Sequence, residues 1–101
     1  MNKIWPSGDN KAVLCIRMSY IEFSKRHNIE FKHFIDDLGE YNAALISIPD
    51  IGNVAIRERD NFPRRGVDFT VDSFLSPAIA IQAIKEFFDL RDEDVTWMAS
   101  D

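Results

Sequence analysis

The spacing of apolar positions changes along this chain, and each change predicts an element. Lys11 to Met18 (KAVLCIRM) is a nearly continuous apolar run with β-branched members. It predicts a strand buried on both faces, and so central in its sheet. Ser7-Gly8-Asp9-Asn10 ahead of it has turn composition, and Ile4 and Trp5 are expected to pin the N-terminus to the body. Ser19 and Glu22 have the S-x-x-E spacing of a capping box, with Met18 and Phe23 placed for the accompanying hydrophobic staple. A helix is therefore predicted from Tyr20 to about His27, broken at Asn28, a residue that tolerates the left-handed conformation. Phe31, Phe34, Ile35 and Leu38 fall at i, i+3, i+4 and i+7 and predict a second short helix, stopped by Gly39.

Ala43 to Arg59 reads as two strands around the turn residues Pro49-Asp50-Ile51-Gly52-Asn53. Ala44, Ile46 and Ile48 share a face of the first strand. In the second, Val54, Ile56 and Glu58 alternate with Ala55, Arg57 and Arg59, so one face is apolar at its inner end and the other becomes basic. Asp60 to Gly66 is a turn-rich loop, and Val67 to Val71 predicts a short strand returning as a meander. Ser76 then caps a helix whose first position is Pro77, where no N–H is needed. Its polar residues, Gln82, Lys85, Glu86 and Asp89, occupy one narrow stripe, so most of its circumference is expected to be covered. Val95 to Ala99 is the last predicted strand. The order strand, helix in two parts, strand, strand, short strand, helix, strand predicts an α+β fold: an antiparallel sheet with helices on one face, in the split βαβ, ferredoxin-like order with an extra short strand.

The chain has 101 residues, 46% of them hydrophobic and eight of them Phe, enough for one domain over 1–101 with a core that needs no staples. Its single cysteine, Cys15, cannot close an internal disulfide. The first residues hold no apolar signal region, and no apolar run approaches the ~20 residues that span a bilayer. A soluble cytoplasmic protein is expected. The net charge of −5 is uneven. Residues 1–67 carry ten Lys/Arg and nine Asp/Glu, whereas residues 68–101 carry two and eight. That asymmetry disfavours nucleic acid at the C-terminal third and favours a basic partner, although a solvated acidic face has the same composition.

No catalytic or cofactor signature is present. His27 and His33 flank a helix break and Cys15 lies in a core strand, so no metal-ligand spacing forms. No glycine-rich phosphate loop occurs. Asp36, Asp37 and Glu40 group at an expected helix end, where a solvated terminus explains them better than acid–base chemistry. Ser19 to Leu38 has the outline of a helix-turn-helix, but its second helix would carry Glu30, Asp36 and Asp37 toward a polyanion.

Two clusters remain. Arg57, Arg59, Arg64 and Arg65 with Phe62 lie within nine residues and suit phosphate and base stacking, although Glu58 and Asp60 can neutralise them across a hairpin. Glu86, Asp89, Asp92, Glu93 and Asp94 are five carboxylates in nine residues, followed by Trp97. Carboxylates around an aromatic anchor suit a basic protein partner, the charges steering encounter and the ring slowing release. Trp97 fits the core equally well. These carboxylates also gather at a helix C-terminus, where the dipole favours cations.

In size, acidity, cytoplasmic character and lack of catalytic residues, the chain resembles bacterial toxin immunity proteins, such as those of contact-dependent growth inhibition systems. The resemblance implies a non-enzymatic inhibitor, without a cofactor, that binds a toxin domain one-to-one, often a nuclease. An RNA-binding or regulatory domain using the Arg-rich hairpin loop is the alternative. A small enzyme with an inter-chain site, served by Asp36 or His33, comes third, because open-faced sheets of this kind often dimerise.

Overall fold

A computed structural model describes residues 10–37, 39–59 and 66–100. They form β1 (Asn10–Ile16), α1 (Tyr20–His27), β2 (Lys32–Asp36), β3 (Gly39–Ile48), β4 (Gly52–Arg59), β5 (Asp68–Asp72), α2 (Pro77–Phe88) and β6 (Val95–Met98). The strands make one antiparallel sheet in the order β2-β3-β4-β5-β1-β6. Within it, β6-β1-β5-β4 follows the split βαβ order, and the β2–β3 hairpin extends the sheet beyond β4. The strand at Val67–Val71 is thus not the extra one: as β5 it lies between β4 and β1, and the additions are β2 and β3.

Both helices start where local chemistry places them. Ser19 Oγ accepts from the Glu22 N–H at 3.2 Å, and Ser76 Oγ accepts from the Ile79 N–H at 3.5 Å. The Glu22 carboxylate pairs with Arg26 instead of reaching back to the cap. Asn28 ends α1 with φ 56°.

The predicted second helix is strand β2. Its residues pair one for one with β3, from Lys32 opposite Ala43 to Asp36 opposite Gly39. Gly39, with φ 121°, closes this hairpin and stops no helix. The spacing of Phe31, Phe34 and Ile35 is helical only on paper. In the fold, Phe31 packs on Tyr20 and Phe23, while Phe34 and Ile35 point to opposite faces of the sheet. Loss of that helix also removes the helix-turn-helix outline.

The core lies between one sheet face and the two helices. Phe23 of α1 is fully buried, with its ring centroid 5.8 Å from Phe69 of β5 and 5.0 Å from Phe88 of α2. Leu14, Ile16, Val54, Ile56 and Ile84 complete the same cluster. α2 is less covered than its narrow polar stripe predicts. It buries Ala80, Ile84 and Phe88, but leaves Ile79 61% and Phe87 49% exposed. Among the described residues, the other sheet face carries no helix. Register places Trp97, Cys15, Asp68, Arg57, Ala43 and Lys32 in one row across it.

Two polar devices fix the path outside the strands. The Glu58 carboxylate accepts from the Tyr20 N–H at 2.8 Å and the Gly66 N–H at 3.0 Å, tying the start of α1 and the entry to β5 to β4. Gly66 has φ 109°, and a Cβ there would run into the Ile16 carbonyl oxygen. Only glycine lets the chain pass that close to β1.

Candidate functional site

The acidic segment is assembled by the C-terminal end of α2 and the strand that follows. Asp89 adopts the left-handed conformation, φ 55°, and the Leu90 N–H returns to the Lys85 carbonyl at 2.9 Å. Asp92–Asp94 then form a single 3-10 turn, in which the Asp94 carboxylate accepts from the Arg91 N–H at 2.9 Å. The turn is anchored to β1, where the Arg17 N–H donates to the Asp94 carbonyl at 3.0 Å and Arg17 Nε to the Glu93 carbonyl at 3.2 Å. This fastening delivers the chain into β6, the outermost strand on its side of the sheet.

Asp92 and Trp97 come together. With Val95, Thr96 and Met98 they line a shallow hollow of about 410 Å³ along the outer side of β6. Trp97 stands opposite Cys15 on the helix-free face and is 37% exposed, while Met98 turns to the other face and is 52% exposed. Trp97 is therefore a surface ring at the sheet margin. Glu86 is held apart: its carboxylate accepts from Gln82 Nε2 at 2.6 Å, and it lines a second hollow of about 230 Å³ with Ile48, Pro49, Asp50, Ala83 and Phe87.

The charge here is less bare than the sequence suggests. Lys85 forms an ion pair with Asp92, and Arg91 lies 3.5 Å from Glu93. The hydrogen bond and charge from Lys85 hold the Asp92 carboxyl below its ordinary value, although Asp92 itself stays in water. Such exposed pairs are weak and easily exchanged for a partner's cations. Lys85, Arg17 and Met98 are the members of this region that sequence reasoning missed. Lys85 could have been found from its position one turn before the acidic run. Arg17 comes from the far end of the sequence and left no signal.

The arginine cluster divides. Arg57 and Arg59 alternate onto the helix-free face, whereas Phe62, Arg64 and Arg65 lie outside the described residues. The Arg59 guanidinium sits 4.7 Å from the Tyr41 ring centroid and that of Arg57 5.8 Å, and Tyr41 stacks on Phe34 at 5.3 Å. Arg57 Nε is 3.7 Å from the carboxylate of Asp68, which is buried. Burial raises the Asp68 carboxyl above its ordinary value, and Arg57, Arg59 and Thr70 only partly oppose this. The Thr70 hydroxyl lies beside that carboxylate without a well-formed hydrogen bond. Glu58 does not neutralise these arginines, as the hairpin reading supposed. It faces the helices and is engaged by two backbone donors.

Among the described residues, no group of three or more His, Cys, Asp or Glu is disposed to hold a metal ion. Cys15 is buried. His27 packs on Phe23 and Phe88, and burial lowers its pKa. His33 contacts Glu40 at 2.8 Å and Asn42 at 3.3 Å at the hairpin edge. No helix among the described residues is long and apolar enough to cross a membrane. No family profile, curated protein or solved structure matches the chain.

Proposed function

We propose that the chain is a small acidic inhibitor of a basic protein, acting in the cytoplasm in the way a bacterial immunity protein neutralises a toxin. The observation that carries this reading is the hollow on β6, where exposed Trp97 and Met98 stand beside Asp92 on an edge strand. Asp89, Asp92, Glu93 and Asp94 would speed the approach of a cationic surface. Trp97 would then fill a pocket on it, and the outward backbone groups of β6 would accept a strand or loop. Such an inhibitor needs no cofactor, because occlusion of the partner's cationic cleft is sufficient. The test is protection. The neighbouring reading frame is expressed as a toxic protein, and this chain should restore growth. Reversal of Asp92, Glu93 and Asp94 to Lys should abolish the rescue while leaving the circular dichroism spectrum unchanged. Full rescue by the triple variant would remove the acidic turn from the interface.

The array of Arg57, Arg59, Tyr41 and Phe34 favours a second reading, RNA binding on the helix-free face. It stands second because Asp68 and Asp72 share that face and the chain is acidic overall. Steeply salt-dependent binding of single-stranded RNA, lost in Arg59→Glu, would move it to first place.

A further inference from the structure

We infer that β2 is a self-association edge, on which a second copy of this chain pairs its own β2 antiparallel and joins the two sheets into one of twelve strands. Among the described residues, β2 is the outermost strand opposite β6. Asp36 faces Gly39 across a two-residue connection, so residues 32, 34 and 36 exchange backbone hydrogen bonds with β3. His33 and Ile35 turn their N–H and C=O groups outward.

The residue order KHFID is complementary to itself when reversed. Antiparallel pairing centred on Phe34 sets Lys32 opposite the copy's Asp36, and Asp36 opposite the copy's Lys32. It sets His33 opposite the copy's Ile35, and these are the residues whose backbone groups point outward, so the ladder continues in phase. Phe34 then meets the copy's Phe34 at a non-hydrogen-bonded position, where side chains approach most closely. Because Phe34 already stacks on Tyr41, four rings would cross the seam in a row. On the opposite face, Ile35, which is 73% exposed, would gain cover.

The strand itself is regular, with an unbroken register to β3 and no bulge. β6 offers no such match. It has four residues, VTWM, its register to β1 shifts between Cys15 and Ile16, and it holds no opposite charges that would set a self-pairing register. A five-residue seam is small beside a standard interface of roughly 1,600 Å², so a weak, reversible dimer is expected.

Sedimentation equilibrium of the full chain, from about 5 to 500 μM, tests the inference. The wild type should dimerise reversibly. Lys32→Glu and Asp36→Lys should each weaken the dimer roughly tenfold or more, because each turns two attractions into two repulsions. Mixed in equal amounts, the two variants should associate again, since the carboxylate introduced at position 32 of one then meets the ammonium introduced at position 36 of the other. Ile35→Pro removes an outward N–H that β3 does not use, so it should leave the monomer's circular dichroism intact and abolish pairing. A wild type that stays monomeric throughout would overturn the inference. So would a dimer that both single charge reversals and Ile35→Pro leave unchanged.

Discussion

β2 and β6 both turn half of their backbone groups away from the sheet, yet they are equipped for different neighbours. β2 is regular, almost neutral and self-complementary, with Lys32 and Asp36 at its two ends and Phe34 between them. β6 is short and bulged, is led in by Asp92-Glu93-Asp94, and carries Trp97 and Met98 on its exposed flank. Strand edges that are left open must be managed against indiscriminate pairing. Here one edge carries a charge order that its own copy satisfies. The other is led in by three carboxylates, a charge sign that on the proposed function would suit a cationic protein. The side chains at the ends of an edge strand, rather than its backbone, select what adds to it.

The largest effect is expected where the two edges depend on the same packing. Phe23 holds both helices to the sheet, and Phe23→Ala should cost about 3–5 kcal/mol in denaturant unfolding. Self-association and partner binding should weaken together in that variant. If either survives at full strength, that edge does not need the shared core.

Next comes separation of the edges. Reversing Asp92, Glu93 and Asp94 should lower affinity for a basic partner by roughly 100-fold, mostly through slower association, while sedimentation of the same variant still reports the β2 dimer. Lys32→Glu should do the opposite. If one variant impaired both activities, the division between edges would fail.

A smaller effect isolates Asp89. A non-glycine residue in the left-handed cap position is strained, so Asp89→Gly should stabilise the fold by about 0.5–1 kcal/mol in thermal or chemical melts. It should nevertheless bind a basic partner less well, because it removes a carboxylate from the acidic end. A variant that gained stability and kept full affinity would take Asp89 out of the interface.

The smallest effect concerns the face between the edges. Burial raises the Asp68 carboxyl above its ordinary 3.8. A carboxyl raised in the folded state contributes stability in full below its unfolded value, and loses it as pH rises through its folded value. Melting temperatures of wild type and Asp68→Asn, compared from pH 7 downward, should therefore shift in favour of the wild type as the solution becomes acid. A gap that moves the other way would mean that Arg57 dominates over burial.

What the sequence made legible follows the range of the interaction concerned. Ser19, Asn28, Ser76 and Pro77 act within one turn, and the helix ends they predict are the ones found. β1 follows from a nearly continuous apolar run, and β4 from apolar alternation within a few residues. β2 was misread because the helical spacing of Phe31, Phe34, Ile35 and Leu38 is a local signal, while its pairing with β3 is decided across the hairpin. Glu58 was misread for the same reason, since its donors lie 38 and 8 residues away. At the candidate site the carboxylates and Trp97 were visible as composition. Their position on an outermost strand was not, because it depends on β1 lying between β5 and β6.

That sheet order has a consequence for synthesis. Of the described strands, β1 leaves the ribosome first, yet both of its neighbours, β5 and β6, are translated after the others. The β2–β3–β4 meander can pair as soon as it emerges, whereas the apolar run of β1 has to wait with both flanks open. The nascent chain therefore carries a strongly apolar strand unmatched until β5 and β6 are made. Chaperone contacts during synthesis are expected to gather on Val13 to Ile16 and to be released only when Val95 to Met98 arrives.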